Sequence, residues 1–241
     1  DRTRTYTIAM ERTVVPENFS FRMTDEEYRV LEKIKNSIPV CYLADHADFA
    51  LGIVTGNNKK FLSAEKTENS EMVLKGTDIC KYHINPVKQY LRFEPEQFQQ
   101  VAPLEIYRAP EKLLYRFISN QLVVAYDDRQ MLSLNSCNIV IPKIDGMQIK
   151  YILAILNSSV SQFVYQKEFH SIKVLRAHME HIPIPRVGKA IQNEIIAMTE
   201  PLICGMGKEA AETCQKRLDC RIMDLFRLSA EEQWIIRHAL H

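Results

Sequence analysis

The stretch EKLLYRFISNQLVVAYDDRQMLSLNSCNIVI, residues 111–141, decides the fold. Short β-type runs at 113–119, 122–125, 131–134 and 138–141 are separated by turn residues such as Ser119-Asn120 and Asp127-Asp128. Within the first run, Lys112, Leu114, Arg116 and Ile118 alternate with Leu113, Tyr115 and Phe117. Two cations on one strand face suit a surface that meets phosphate, and equally a face in solvent. Upstream, residues 49–55 and 60–63 read as two further strands around a polar loop. Downstream, MQIKYILAILNSSVSQFVYQK, residues 147–167, predicts one long helix. Its stripe of Ile149, Ile152, Leu153, Leu156, Val160, Phe163 and Val164 has helical period and marks a core face.

The ends of the chain are helical in pattern. Thr24 and Glu27 have capping-box spacing, and Tyr28, Leu31 and Ile34 follow on one face. The first twenty residues read as a strand or connector. Beyond Pro185 come two amphipathic segments, 190–205 and 208–226, and a closing helix opened by a second capping box, Ser229 and Glu232. The expected class is α+β. A mixed, twisted β-sheet recognition domain with packed helices precedes a C-terminal helical segment, divided as 1–38, 39–186 and 187–241.

Composition narrows the function classes. Of 241 residues, 46% are hydrophobic and 25% charged, which suits a folded core and excludes disorder as the main state. No run approaches the roughly 18 apolar residues of a spanning helix. Asp1-Arg2-Thr3-Arg4 leads into no apolar segment, so neither a secretory signal nor a membrane partner is expected, and the location expected is cytoplasmic. Six scattered cysteines, with no C-x-x-C pair, read as reduced thiols. Cys80 with His83, or His170 with His178 and His181, fits no standard zinc spacing, so no metal is expected.

Catalytic patterns are missing. A methyltransferase acting on an exocyclic amine needs a [DN]-P-P-[YF] turn, and the nearest stretch is Asn85-Pro86-Val87. Gly52-Ile53-Val54-Thr55-Gly56 is not a dinucleotide loop, and no phosphate-binding G-x-x-x-x-G-K-[ST] occurs. Ser158-Ser159 falls inside the expected helix, and Cys137 has no identifiable base. The chain is expected to hold no catalytic residue and no cofactor of its own.

What remains is an ordered series of short motifs: Gly52-Ile53-Val54-Thr55-Gly56-Asn57-Asn58 with Phe61, Leu74-Lys75-Gly76 with Asp78-Ile79, Lys112-Leu113-Leu114-Tyr115-Arg116, Ala125-Tyr126-Asp127, Leu134-Asn135, Ile155-Leu156-Asn157-Ser158, Val174-Leu175-Arg176, Ile182-Pro183-Ile184-Pro185 and Leu225-Phe226-Arg227-Leu228-Ser229. In order and spacing the series resembles the TaqI-like C-terminal specificity domain. That domain is the target-recognition part of N6-adenine DNA methyltransferases and fused type IIG restriction–modification enzymes. The resemblance covers residues 12–238.

The resemblance implies a module that binds double-stranded DNA for a methyltransferase or nuclease domain in cis or in trans. That partner would use S-adenosylmethionine and, where it cleaves, magnesium. The abrupt start at Asp1 agrees with a recognition half separated from its catalytic half. Expected DNA contacts are Thr55, Gly56, Asn57, Asn58 and Lys59, then Lys75 and Lys81, then Lys112, Tyr115 and Arg116, and finally Arg176. Lys59, Lys75, Arg116 and Arg176 are expected at phosphate, and Asn57 or Asn58 at base edges. The rivals are half of a type I specificity subunit, an unrecognised metal-dependent nuclease, and a protein-interaction domain.

Net charge sharpens this. The whole chain carries only +1, which alone argues against nucleic acid. Residues 49–189, however, hold 18 Lys or Arg against 13 Asp or Glu, a net +5, and the remainder holds 13 against 17, a net −4. The basic excess falls on the segment that carries the motifs.

Overall fold

The computed structural model describes residues 23–169 and 171–240. The expected connector at 1–20, and His170, lie outside these residues. Helix α1 (Asp25–Asn36) starts as its capping box requires. Glu27 N–H donates to Thr24 Oγ1 at 3.1 Å, and the Glu27 carboxylate accepts from Thr24 N–H at 3.0 Å. Such a cap typically contributes about 1 kcal/mol. Its face of Val30, Leu31 and Ile34 is buried.

Two four-stranded sheets form the middle of the molecule. The first has strand order β2 (Ala47–Ala50), β9 (Cys137–Pro142), β6 (Lys112–Arg116), β7 (Val124–Asp127), with antiparallel neighbours throughout. The second has order β3 (Leu62–Ser63), β5 (Tyr90–Arg92), β4 (Ser70–Leu74), β8 (Leu132–Ser133), with β4 and β8 parallel. A two-residue ladder joins β1 (Val40–Cys41) to β10 (Ile184–Pro185), so the I-P-I-P stretch closes back onto the chain just after α1.

The first sheet lies between two cores, and alternation assigns its side chains to them. Leu113, Tyr115, Val124, Tyr126 and Val140 join the helical core. Leu114, Val123, Ala125, Cys137 and Ile139 join a second core with Ile53, Phe61, Val73, Leu74 and Leu91 from the second sheet. Residues 112–115 are therefore buried on both faces, and only Arg116 is partly exposed. The strand's period of two separates one apolar core from another, which corrects the expected phosphate-facing surface on Lys112 and Arg116.

The helical core is shared by both ends of the chain. Helices α4 (Ile149–Asn157), α5 (Ser159–Glu168), α7 (Lys189–Cys204), α8 (Lys208–Leu225) and α9 (Ala230–Ala239) contribute Ile152, Phe163, Ile195, Ile222 and Ile236, among others, to one cluster with α1. Lys33–Glu232 at 2.6 Å and Lys167–Glu27 at 2.8 Å tie α1 to α9 and α5. The closing segment is thus packed against α1, α4, α5 and the first sheet. The class is α+β with a C-terminal helical segment. Among the described residues no helix is long and apolar enough to cross a membrane.

The single helix expected over 147–167 is two. Ser158 is extended, with φ −71° and ψ 159°, and it is both the end of α4 and the N-cap of α5. Its Oγ accepts from Ser161 N–H at 3.2 Å and donates to Ile155 O at 2.7 Å. The apolar stripe runs through the break, so periodicity could not show it. The break frees Asn157 to act as a strand surrogate. Its Oδ1 accepts from Val124 N–H at 3.0 Å, and its Nδ2 donates to Val124 O at 2.8 Å. The outer edge of β7 is thereby covered by this side chain and by Tyr82, whose N–H donates to Val124 O at 2.7 Å and whose carbonyl accepts from Tyr126 N–H at 3.1 Å.

Candidate nucleic-acid interface

The expected site residues divide into those turned inward and those left outside. Lys112 is fully buried. Its ammonium lies 2.5 Å from Asp127 and donates to Tyr107 O at 2.6 Å. Burial draws its pKa below the ordinary lysine value, opposed by the Asp127 charge. Asp127 in turn accepts from Arg129 N–H at 2.8 Å and Met131 N–H at 2.9 Å, which shapes the turn after β7.

Lys81 points to Asn157 O at 3.0 Å, and burial lowers its pKa. Tyr115 is 3% exposed beside Phe49, and burial pushes its phenol up to about 12. Arg116 donates to Gly76 O at 2.8 Å and to Ile79 O at 2.6 Å, stapling the loop after β4. Four expected contacts, Lys81, Lys112, Tyr115 and Arg116, are therefore architectural: their polar groups already have partners inside the protein.

The loop of residues 55–60 also departs from expectation. The strands on either side of it do not pair with each other. Ile53 bridges Leu134 and Val54 bridges Gln100, while Leu62 pairs with Leu91. Between them Asn58–Phe61 make one helical turn, α2, because Phe61 must reach the second core and Asn57 can cap the turn. Gly56 supplies the left-handed residue, at φ 73°. Thr55 is buried and donates to Asn58 Oδ1 at 2.6 Å, and Asn57 Oδ1 accepts from Lys60 N–H at 3.2 Å. A paired hydrogen bond to adenine needs both the oxygen and the nitrogen of an amide. Both oxygens are engaged locally, so only the two NH2 groups remain for a ligand. Lys59 stays exposed.

Hydrogen bonds gather five separate stretches of chain, around residues 53, 75, 118, 135 and 173. Leu134 N–H donates to Leu74 O at 2.7 Å and Asn135 N–H to Ile53 O at 3.1 Å. Gly76 N–H donates to Ser136 Oγ at 3.0 Å, and Phe117 N–H to Ser136 O at 3.0 Å. A Cβ on Gly76 would lie 2.5 Å from Ser136 O, so the loop is seated at a distance only glycine permits. Phe117 then pairs with Val174 and Ser119 with Ile172. Lys75, Thr77, Ile118, Asn135, Ile172 and Lys173 are all exposed around this junction.

Arg176 opens α6 (Arg176–Glu180), bonded to Glu180 at 2.7 Å and stacked over Phe49 at 5.2 Å. It rims a cleft of about 630 Å³ between strand β2 and residues 100–106. Lys59, Lys75 and Arg176 therefore stay outside. Asn135, Lys173, Ile118 and Ile172 are exposed as well, and no local sequence feature distinguishes them, because these loops meet only through long-range pairing. Of the histidines considered for metal, His178 stacks on Phe169 at 4.4 Å, and its Nδ1 accepts from Leu175 N–H at 3.2 Å. Among the described residues no cluster of three metal-ligating side chains occurs.

Residues 71–184 match the profile of the TaqI-like C-terminal specificity domain. Among solved structures, the type IIL restriction–modification enzyme MmeI, determined in complex with DNA, is similar in fold. The TM-score is 0.56 at 11% identity, covering 79% of this chain and 34% of that one. A type I restriction–modification assembly aligns over 89% of this chain and 51% of its own, at 14% identity and a TM-score of 0.46. The HsdS subunit from Thermoanaerobacter tengcongensis aligns over 89% and 50%, at 16% identity and 0.45. The chain thus spans about a third to a half of these proteins. No curated protein matches it.

Proposed function

We propose, from the premise that residues 71–184 are a TaqI-like C-terminal specificity domain, that this chain is the DNA target-recognition part of a restriction–modification enzyme. It holds duplex DNA for a catalytic domain that methylates adenine at N6, cleaves the duplex, or does both, as in type IIG enzymes. S-adenosylmethionine, and magnesium where there is cleavage, belong to that domain. The module works in the cytoplasm, where the DNA is.

One observation carries the proposal. The matched segment supplies four of the five stretches that meet there and leaves Lys75 and Lys173 exposed, with Arg176 exposed two residues beyond Val174. Cations there suit phosphates on either side of a groove, while the target adenine turns out into the catalytic partner. The modest +5 of residues 49–189 fits a module that shares its grip with that partner.

The test is binding to random-sequence duplex at low salt. The affinity should fall linearly with salt on logarithmic axes, and Arg176→Ala should reduce the slope by about 1. Arg176→Ala leaving both affinity and slope unchanged counts against this placement. Magnesium-dependent cleavage by the chain alone would sink the non-catalytic assignment.

A further inference from the structure

Two exposed apolar side chains sit on one small piece of backbone. Ile118 is 61% exposed and Ile172 is 71% exposed. Residues 117–119 and 172–174 pair as a two-stranded ribbon. Ser119 N–H donates to Ile172 O at 2.9 Å, Val174 N–H donates to Phe117 O at 2.8 Å, and Ile118 stands opposite Lys173. Alternation places Ile118 and Lys173 on one face of the ribbon and Ile172 on the other. The inner end of the ribbon is anchored, because Val174 is buried in the helical core. Its outer end is not covered by any described residue.

We infer that this ribbon enters the major groove of duplex DNA, and that Ile118 and Ile172 read the C5 methyl groups of thymine. The inference rests on the DNA-binding function proposed above. Three observations support it. A two-stranded ribbon fits the major groove, about 12 Å wide, and not the minor groove, about 6 Å wide. Cations flank the ribbon where groove-lining phosphates would run. Lys173 is on it, Arg176 follows it, and Lys75 precedes Gly76, which shares Ser136 with Phe117. Isoleucine has no hydrogen-bonding group, so the base feature it can select is the thymine methyl, the one apolar group on the major-groove edges. Asn135, exposed beside Ser136, supplies a polar neighbour for the adjoining base edge.

The experiment compares two duplex pools. Random-sequence duplexes bound by the full chain are selected, and the same sequences are rebuilt with deoxyuridine for thymidine, which removes only the methyl groups. The unaltered chain should bind the deoxyuridine pool about fourfold more weakly for each methyl contacted. The double variant Ile118→Ala, Ile172→Ala should bind both pools equally and keep its salt slope. Lys173→Ala should do the reverse: it keeps the thymidine preference and lowers the slope by about 1.

Equal binding of the two pools by the unaltered chain overturns the inference, as does a preference that survives the double substitution. A fall in the double variant's melting temperature also overturns it, since the isoleucines would then be covered within the chain. So does self-association that the double variant abolishes. If the unaltered chain shows no salt-dependent binding at all, it is the DNA-binding function itself that fails.

Discussion

Residues 112–116 and the ribbon that begins at Phe117 are neighbours in sequence and opposites in polarity. On the strand, Lys112 and Arg116 turn inward to Asp127 and to the carbonyls of Tyr107, Gly76 and Ile79. On the ribbon, Ile118 and Ile172 turn outward. The usual distribution is reversed in both places. A buried cation survives only with partners that replace water, so its presence marks architecture. The two uncovered isoleucines bury little on folding, and the proposed thymine contact rests on their sharing one ribbon. In this fold a residue's formal charge is a poor guide to whether it faces water, and the side chain's surroundings decide.

The comparison can be broken at its strongest point first. Lys112→Ala would leave the Asp127 carboxylate buried without its cation, and should cost about 3–5 kcal/mol of unfolding free energy. Urea titration measures this. A loss below about 1 kcal/mol would remove the strand's half of the contrast. Arg116→Ala comes next. It strands two carbonyl groups, for about 2 kcal/mol, and should loosen the loop that carries Lys75, seen as faster amide exchange at residues 76–79. The smallest effect belongs to the outward cations. Lys59→Ala and Lys75→Ala should each change stability by less than about 0.5 kcal/mol while weakening DNA binding, a pair of readouts that separates them from Lys112 and Arg116.

The sequence displayed the helical ends of the fold well. Thr24 with Glu27 and Ser229 with Glu232 form the caps expected of them, and α7 and α8 start and stop within a residue of their apolar patterns. Local chemistry governs such features. The strands between 112 and 142 were also legible as strands. Their surroundings were not, because a period of two reveals alternation without saying whether the second face meets water or another core. Lys112 and Arg116 were misplaced for that reason. Likewise the asparagines of the 55–60 loop looked free because their caps, through Lys60 N–H and the Thr55 hydroxyl, depend on a helical turn that Phe61 imposes by reaching the second core. Lys59, Lys75 and Arg176 are exposed, as a contact with phosphate requires. Ile118 and Ile172 could not be found from sequence, since their exposure depends on a pairing between segments more than fifty residues apart.

That meeting of loops bears on how such a module could be altered. Lys75, Ile118, Asn135 and Ile172 come from stretches scattered across about a hundred residues, yet they are held by one strand framework with its own buried ion pair. No short contiguous graft would carry the proposed binding face from one protein to another. The unit of exchange would have to keep both sheets and helices α4 and α5 together, because β6, β7 and β9 share the helical core with Ile152 and Phe163. Within that unit, single loop changes can vary while the framework stays intact.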